Sequence, residues 1–402
     1  MSKKLILMPE MLEYHSKLIE AVFISCHING RFLENKGDFK AAALPYMNNE
    51  FCYPLYLITG QLISELRRMR AEGQRTEDVV FIEPSVGDAC RSGNYLAAIR
   101  SGLIRAGFPE VTVAPLSVSD RGRHSAFKIT LKLVRGVIAA FCYGDALMQY
   151  YQAARLYDSR NGGNQVAQLY QEWQDRFCDI LAGGRGRSGR EMKENLRRLR
   201  TSMQPYADAV NAADRQKQSV RIGIAGEIYI KFCRLGNHDL ENFLTENDLS
   251  YMGCGLMNYV LYRIDAEITK AEIACTPVPV LKVMHLFEQY VLRTQHIMAR
   301  ELGTDPYETV RSRAQVLISP GLVTGDGWLI SAEIMELIER GCTNILVVHP
   351  FGCMVSHVCE RGVMKKLHDV YPGVSIQTIE YDYDSSEALL QSRIMLAASS
   401  IF

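Results

Sequence analysis

The chain has 402 residues, 45 Lys plus Arg against 45 Asp plus Glu, a net charge of zero and 11 cysteines. That length fits two or three domains with ample cores, and charge neutrality argues against nucleic acid or an anionic membrane surface as a partner. No apolar run of about 18 residues exists to cross a membrane. The opening residues read as a short strand after two lysines rather than as a secretory signal. The expected compartment is the cytoplasm, where cysteines outside the core serve more often as metal ligands or catalytic groups than as disulfides.

In chain order, residues 5–9 read as a strand and 12–25 as an amphipathic helix. Leu57, Leu62, Ile63 and Leu66 give 56–70 a helical apolar period. A short apolar strand at 79–83 ends at Pro84, and a helix at 95–106 leads to a strand at 111–116. Such alternation predicts a parallel α/β sheet. The middle then changes character, with long helices predicted at 127–157, 165–181 and 191–213. Between the last two, Gly183-Gly184-Arg185-Gly186-Arg187-Ser188-Gly189 reads as a solvent-exposed, flexible linker. It lacks the Gly-Lys-Ser/Thr ending of a phosphate loop, and no strand precedes it.

A second α/β block opens with a strand at 221–225 and the turn Gly226-Glu227. Helices at 256–274 and 278–302 read as an inserted pair, and 319–328 as a Gly-rich loop whose Asp326 and Trp328 suit a substrate or partner loop or, in the competing reading, a turn with Trp328 as packing anchor. A helix at 334–340, a strand at 344–349, a turn at 350–353, a helix at 355–371, a strand at 375–381 and a helix at 386–399 complete the chain. The fold expectation is α/β: two Rossmann-like parallel-sheet domains with a helical insert and an iron–sulfur site in the interdomain cleft. The N-terminal domain spans 1–125 and carries Cys52 and Cys90. A helical segment spans 126–218, and the C-terminal domain spans 219–402, with an insert at about 256–315, and carries Cys353.

Three cysteines sit in turns beside predicted strands or helices: Asn48-Asn49-Glu50-Phe51-Cys52-Tyr53-Pro54, Gly87-Asp88-Ala89-Cys90-Arg91-Ser92-Gly93-Asn94-Tyr95 and His349-Pro350-Phe351-Gly352-Cys353-Met354. Loops at strand ends are where α/β proteins place their chemistry. Three thiolates converging from such loops would hold an iron–sulfur cluster and leave one iron open. Ser92, Asn94 and the N–H groups of the helix start suit cluster sulfides or an anionic substrate. Cys353 precedes a helix, a position that lowers a thiol pKa through the helix dipole. The competing reading for each turn is a buried cysteine. Cys142 and Cys178 fall within helices, Cys254 and Cys275 flank them, and Cys342 precedes a strand, so these read as structural. Cys26, Cys233 and Cys359 stay open. His349 and His357 flank Cys353, but their spacing is not that of a usual zinc site. A serine hydrolase lacks its Gly-x-Ser-x-Gly elbow, and a Cys353 nucleophile with a histidine base remains an alternative.

Taken together, six stretches resemble one family. They are the Cys52 and Cys90 turns, Gly223–Phe232 (GIAGEIYIKF), Thr324–Glu333 (TGDGWLISAE), Pro350–Val358 (PFGCMVSHV) and Glu380–Arg393 (EYDYDSSEALLQSR). The family is the 2-hydroxyacyl-CoA dehydratase activase-related proteins. These are similar to the C-terminal region of large CoA activases and, more distantly, to the cluster subunits of 2-hydroxyacyl-CoA dehydratases and benzoyl-CoA reductases and to double-cubane cluster proteins. The resemblance implies Cys52, Cys90 and Cys353 as metal ligands of a 4Fe–4S cluster or an 8Fe–9S double-cubane form. Cys359 and Cys233 stand where the family pattern has Gly and His, and Val86-Gly87-Asp88-Ala89 replaces a more Gly-rich run.

The functional expectation is an iron–sulfur protein that accepts or relays low-potential electrons. It would reduce or dehydrate a small or CoA-linked substrate, with Glu227 and His357 as acid–base candidates. An actin/Hsp70-like ATPase fold is not read in this sequence. The electrons are therefore expected from a separate ATP-dependent activator or reductase, with homo- or heterodimeric assembly compatible. The rival expectation is a non-catalytic accessory protein that docks to a dehydratase or its activator.

Overall fold

The computed structural model describes residues 4–48, 51–84, 90–115 and 128–399. The Val86-Gly87-Asp88-Ala89 run and the Asn49 of the Cys52 turn lie outside the described residues.

The chain begins with β1 (Leu5–Met8), α1 (Ser16–Ser25), β2 (Gly30–Phe32), α2 (Phe39–Ala43) and α3 (Tyr53–Ala71). It continues through β3 (Val79–Glu83), α4 (Tyr95–Arg105) and β4 (Thr112–Pro115). The four strands make one parallel sheet in the order β2-β1-β3-β4. Four helices follow: α5 (Leu131–Ala154), α6 (Leu156–Asn161), α7 (Gln165–Ala182) and α8 (Gly189–Lys217). The second sheet starts with β5 (Arg221–Gly226), α9 (Ile228–Phe232), α10 (Leu240–Glu246) and β6 (Ser250–Gly253). Four helices then intervene: α11 (Leu256–Ile273), α12 (Val278–Leu302), α13 (Tyr307–Leu317) and α14 (Leu329–Glu339). The chain ends with β7 (Asn344–Pro350), α15 (Met354–Cys359), α16 (Met364–Val370), β8 (Ser375–Tyr381) and α17 (Glu387–Ser399). This sheet is also parallel, in the order β6-β5-β7-β8.

The two sheets share one topology. Each starts on an inner strand, moves to one edge, then crosses back to fill the other side. The winding reverses between β1 and β3 in the first sheet and between β5 and β7 in the second, and the C-terminal ends of such strand pairs open a crevice. β3 and β7 are buried at every residue, as strands covered on both faces require, and each has an apolar run of four residues at its centre for that reason.

One apolar cluster joins the sheets, uniting Leu7, Phe81 and Val113 with Ile224, Leu346 and Val348. α3 is part of it and is buried at every residue from Tyr53 to Ile63. A second cluster packs α1 (Leu18, Val22) against the middle helices through Leu147, Phe177 and Leu199 and reaches Leu261 and Trp328 of the insert. Trp328 is fully buried, as its reading as an anchor requires.

Several elements depart from the sequence reading. β2 and β6 span three and four residues and were not anticipated. The helix expected at 355–371 is broken by a single 3₁₀ turn at Arg361–Val363, and the one at 127–157 divides at Arg155 into α5 and α6. The glycine-rich linker is a docked turn rather than a free segment. Tyr143 Oη donates to Gly186 O at 2.8 Å, and the Arg187 guanidinium bonds Ser25 Oγ and Leu181 O. Ser188 and Glu191 then close a capping box that starts α8. Among the described residues, no helix is long and apolar enough to cross a membrane.

Candidate functional site

Four turns leave the inner strands of the two sheets, and each carries a polar or sulfur side chain. Glu10 follows β1, Cys90 precedes the short 3₁₀ helix after β3, Glu227 follows β5 and Cys353 follows β7. Cys52 comes from the start of α3, the helix that crosses from β2 to β3. N-termini of crossover helices lie at the C-terminal edge of a parallel sheet, so Cys52 belongs to the same edge.

Each cysteine occupies an N-cap position in extended conformation, and none uses its side chain to cap. Ser356, in the first turn of α15, lies against the Cys353 sulfur and works against the rise that burial causes there. Cys52 Sγ hydrogen-bonds the Tyr95 hydroxyl. Cys90 Sγ lies 2.9 Å from Ser92 Oγ. The Cys90 and Cys353 turns touch: a Cβ on Gly352 would stand 3.8 Å from the Arg91 guanidinium, and both cysteines pack on one apolar cluster.

Glu227 is the group these turns share. Gly226 before it has φ +135°, and a Cβ there would meet Val348 O at 2.0 Å. Only glycine lets β5 end so close to β7. Glu227 Oε2 then accepts from Ile230 N at 3.0 Å, while Asp326 Oδ2 accepts from Ile228 N at 3.2 Å. Two carboxyls thus cap the first turn of α9. One turn further on, Lys231 Nζ lies 2.6 and 2.7 Å from the two oxygens of Glu333, and this pair is almost fully buried.

Burial sets the electrostatics. It pushes the Cys52 thiol up to about 12, with Glu227 and Cys90 adding to the shift. It pushes Cys353 up to about 12 as well, again with Glu227 adding. The expected lowering of Cys353 at a helix start is therefore overturned: α15 has only six residues, and desolvation beside a carboxylate outweighs its weak dipole. Glu227 is raised because burial outweighs its backbone N–H partners and Lys231. Asp326 is pushed up to about 7 by burial and by Glu227. Lys231 is raised because Glu333 and its other anionic neighbours overcome the burial that opposes its charge.

The remaining predicted residues divide. Ser92 stands on the Cys90 sulfur. Asn94 is exposed at the start of α4 and makes no capping bond. His357 is exposed; its Nδ1 donates to Cys353 O at 2.7 Å and its Nε2 accepts from Arg361 at 3.2 Å. His349 is buried and bonded through Nδ1 to Pro350 O. Cys359 is buried, and its thiol is pushed up to about 12 by burial and by Asp326. Cys233 is buried near Glu10 O and Asn35. All eleven cysteines are free thiols.

Sequence reasoning missed Tyr95, Lys231 and Glu333 as parts of this site, and singled out Asp326 only as the acid of a possible substrate or partner loop. The signal for Lys231 and Glu333 was available: a lysine inside IYIKF and a glutamate inside WLISAEIM interrupt apolar runs, and charges so placed are buried only in pairs. Among the described residues, no group of three His, Cys, Asp or Glu side chains is arranged to hold a single metal ion. No protein-family model matches the chain, and no curated protein matches it.

Proposed function

We propose that the chain is an iron–sulfur protein of the 2-hydroxyacyl-CoA dehydratase/activase superfamily, with Cys52, Cys90 and Cys353 as the cluster ligands. The observation that supports this reading is that Glu227 acts on both the Cys52 and the Cys353 thiols, that Cys90 acts on Cys52, and that the Cys90 and Cys353 turns pack on one apolar cluster.

The donor set fits such a group. Soft sulfur suits iron, and three thiols leave one iron without a protein ligand. Cys52 and Cys353, held near 12 by burial, keep their protons until a metal replaces them. The same shift disfavours either thiol as a free nucleophile near neutrality. Tyr95 and Ser92 supply hydroxyl donors to two of the sulfurs, the kind of outer-shell contact that orients ligands and tunes potential. A bound cluster would supply low-potential electrons and a Lewis-acidic iron. Glu227 stands beside it as the acid–base candidate, while His357, turned outward, is the weaker one. The electrons would come from a separate ATP-dependent reductase of actin/Hsp70-like fold.

Anaerobically prepared protein should contain iron and acid-labile sulfide in comparable amounts and give an EPR signal on reduction. Cys52→Ser, Cys90→Ser or Cys353→Ser should each lose most of the iron, whereas Cys275→Ser, at an exposed position, should keep it. Stoichiometric zinc without sulfide, after expression with ample iron, would sink the reading.

A second reading, an accessory protein that docks to a dehydratase or its activator, draws on the tip of the α11–α12 hairpin. There Ile273, Val278, Val283 and Leu286 are 62–76% exposed. Turnover of an acyl-CoA by the cluster-loaded chain with its reductase favours the catalyst. Full cluster content with no turnover favours the accessory.

A further inference from the structure

A cavity lies along β6, the edge strand of the second sheet, with its charged groups at the end away from the cysteine turns. It has a volume of about 170 Å³, far more than the 10–15 Å³ or so that a single water needs. Arg221 and Ser250 form its floor. They are directly paired across β5 and β6, so their side chains leave the same face of the sheet. Arg340, at the end of α14, and Asn211, on α8, close it from the sides, and Tyr150, Ala207, Val210 and Leu302 give it an apolar wall.

The polar groups are incompletely satisfied. Ser250 is 5% exposed, and its Oγ has no hydrogen-bond partner. Arg340 Nη1 is buried and also lacks a hydrogen bond; its nearest carboxylate, Glu336 Oε1, stands 3.6 Å away. Among the described residues, the Arg221 guanidinium donates to the neutral amide of Asn211 and to no carboxylate. Both guanidiniums act on the buried Cys342 thiol, where they oppose the rise that burial causes, so two positive charges face one small region. Buried donors left without acceptors are costly, and a native site with several of them is built for a ligand that supplies the acceptors.

We propose that this cavity binds a small organic carboxylate. The carboxylate oxygens would accept from Arg221, Arg340 and Ser250 Oγ, and the body of the molecule would lie on Tyr150, Ala207, Val210 and Leu302. Guanidinium groups match a carboxylate through paired N–H donors, and the apolar wall selects an anion with a hydrocarbon part over an inorganic one. Arg221 begins β5 and Glu227 follows its end, so the length of the strand separates the charged end of this cavity from the cysteine turns. The proposal does not depend on the cluster.

The test is thermal unfolding of the full chain in butyrate, benzoate or inorganic phosphate at constant ionic strength. A saturable rise of about 2–4 °C with butyrate or benzoate is expected, and a much smaller one with phosphate. Arg221→Gln and Arg340→Gln should each weaken the effect at least tenfold, as loss of a charge-assisted bond predicts. Ser250→Ala should weaken it less. Ala207→Leu fills the apolar side without touching a charge and should abolish it, which keeps the proposal testable if an arginine variant fails to fold. No saturable rise with either organic acid, phosphate binding as tightly as benzoate, or a rise that survives Ala207→Leu would overturn it.

Discussion

Lys231 and Glu333 illustrate what a single residue does in this fold. Their side chains are 5% and 1% exposed and lie 2.6 Å apart, which places a full ion pair in the core beneath Glu227 and Asp326. Such a pair returns little net stability against apolar replacements, but removing one partner strands a buried charge at a cost of about 3–5 kcal/mol. Lys231→Met should therefore lower the melting temperature sharply, while Lys231→Met/Glu333→Leu should regain most of the loss. A single variant as stable as the parent would show that Glu333 finds another partner. The cysteines of the candidate site could be picked out in the sequence because each sits in a Pro- or Gly-marked turn. This pair is marked only by the apolar runs that each charge interrupts, and its pairing is not, because the partners lie 102 positions apart and charged residues are read by default as exposed.

At the scale of elements, α3 shows where periodicity gives the helix but not its packing. Its first half is buried on every side, so no polar stripe marks a face. Gly60 is the reason α2 fits against it: a Cβ at Gly60 would stand 1.8 Å from Phe39 O, a backbone atom that cannot move aside alone. In an exposed helix Gly→Ala gains about 1 kcal/mol. Here the sign should reverse, and Gly60→Ala should cost about 1–3 kcal/mol through overpacking. Equal or higher stability by thermal or urea unfolding would mean that α2 is not seated as described. The long inner strands and the strand–turn–helix units at Cys90 and Cys353 were legible because β3 and β7 carry the apolar runs Val79–Ile82 and Ile345–Val348. β2 and β6 were not, because a strand of three or four residues at a sheet edge carries too few positions for any alternation, and its neighbour supplies the pairing.

Across the whole molecule, buried carboxyls set how stability depends on pH. Glu10, Glu336 and Glu360 are pushed up from 4.5 to about 7, and Asp326 from 3.8 to about 7, with burial the largest cause in each. Between their unfolded and folded values the native state holds protons that the unfolded chain has released. The stabilisation is therefore present below about pH 4 and is lost as pH rises toward 7. Two groups of opposite sign limit the effect. Burial lowers His238 and His349 below 6.5, which costs stability as pH falls below that value. Glu65, Glu110, Glu191 and Asp248 are lowered by their hydrogen-bond and ion-pair partners, and what they contribute is lost only as pH falls below their ordinary values near 4. These four, with Glu227 and Glu333 raised in the same sense, outweigh the two histidines between pH 5 and 7, so the melting temperature should be highest near pH 5 and several degrees lower at pH 8 at constant ionic strength. A melting temperature that is flat or rises from pH 5.5 to 8 would show that these carboxyls titrate as exposed groups. The polar layer beneath the cysteine turns, where Asp326 caps α9 beside Glu227, would then be open to water rather than packed as described.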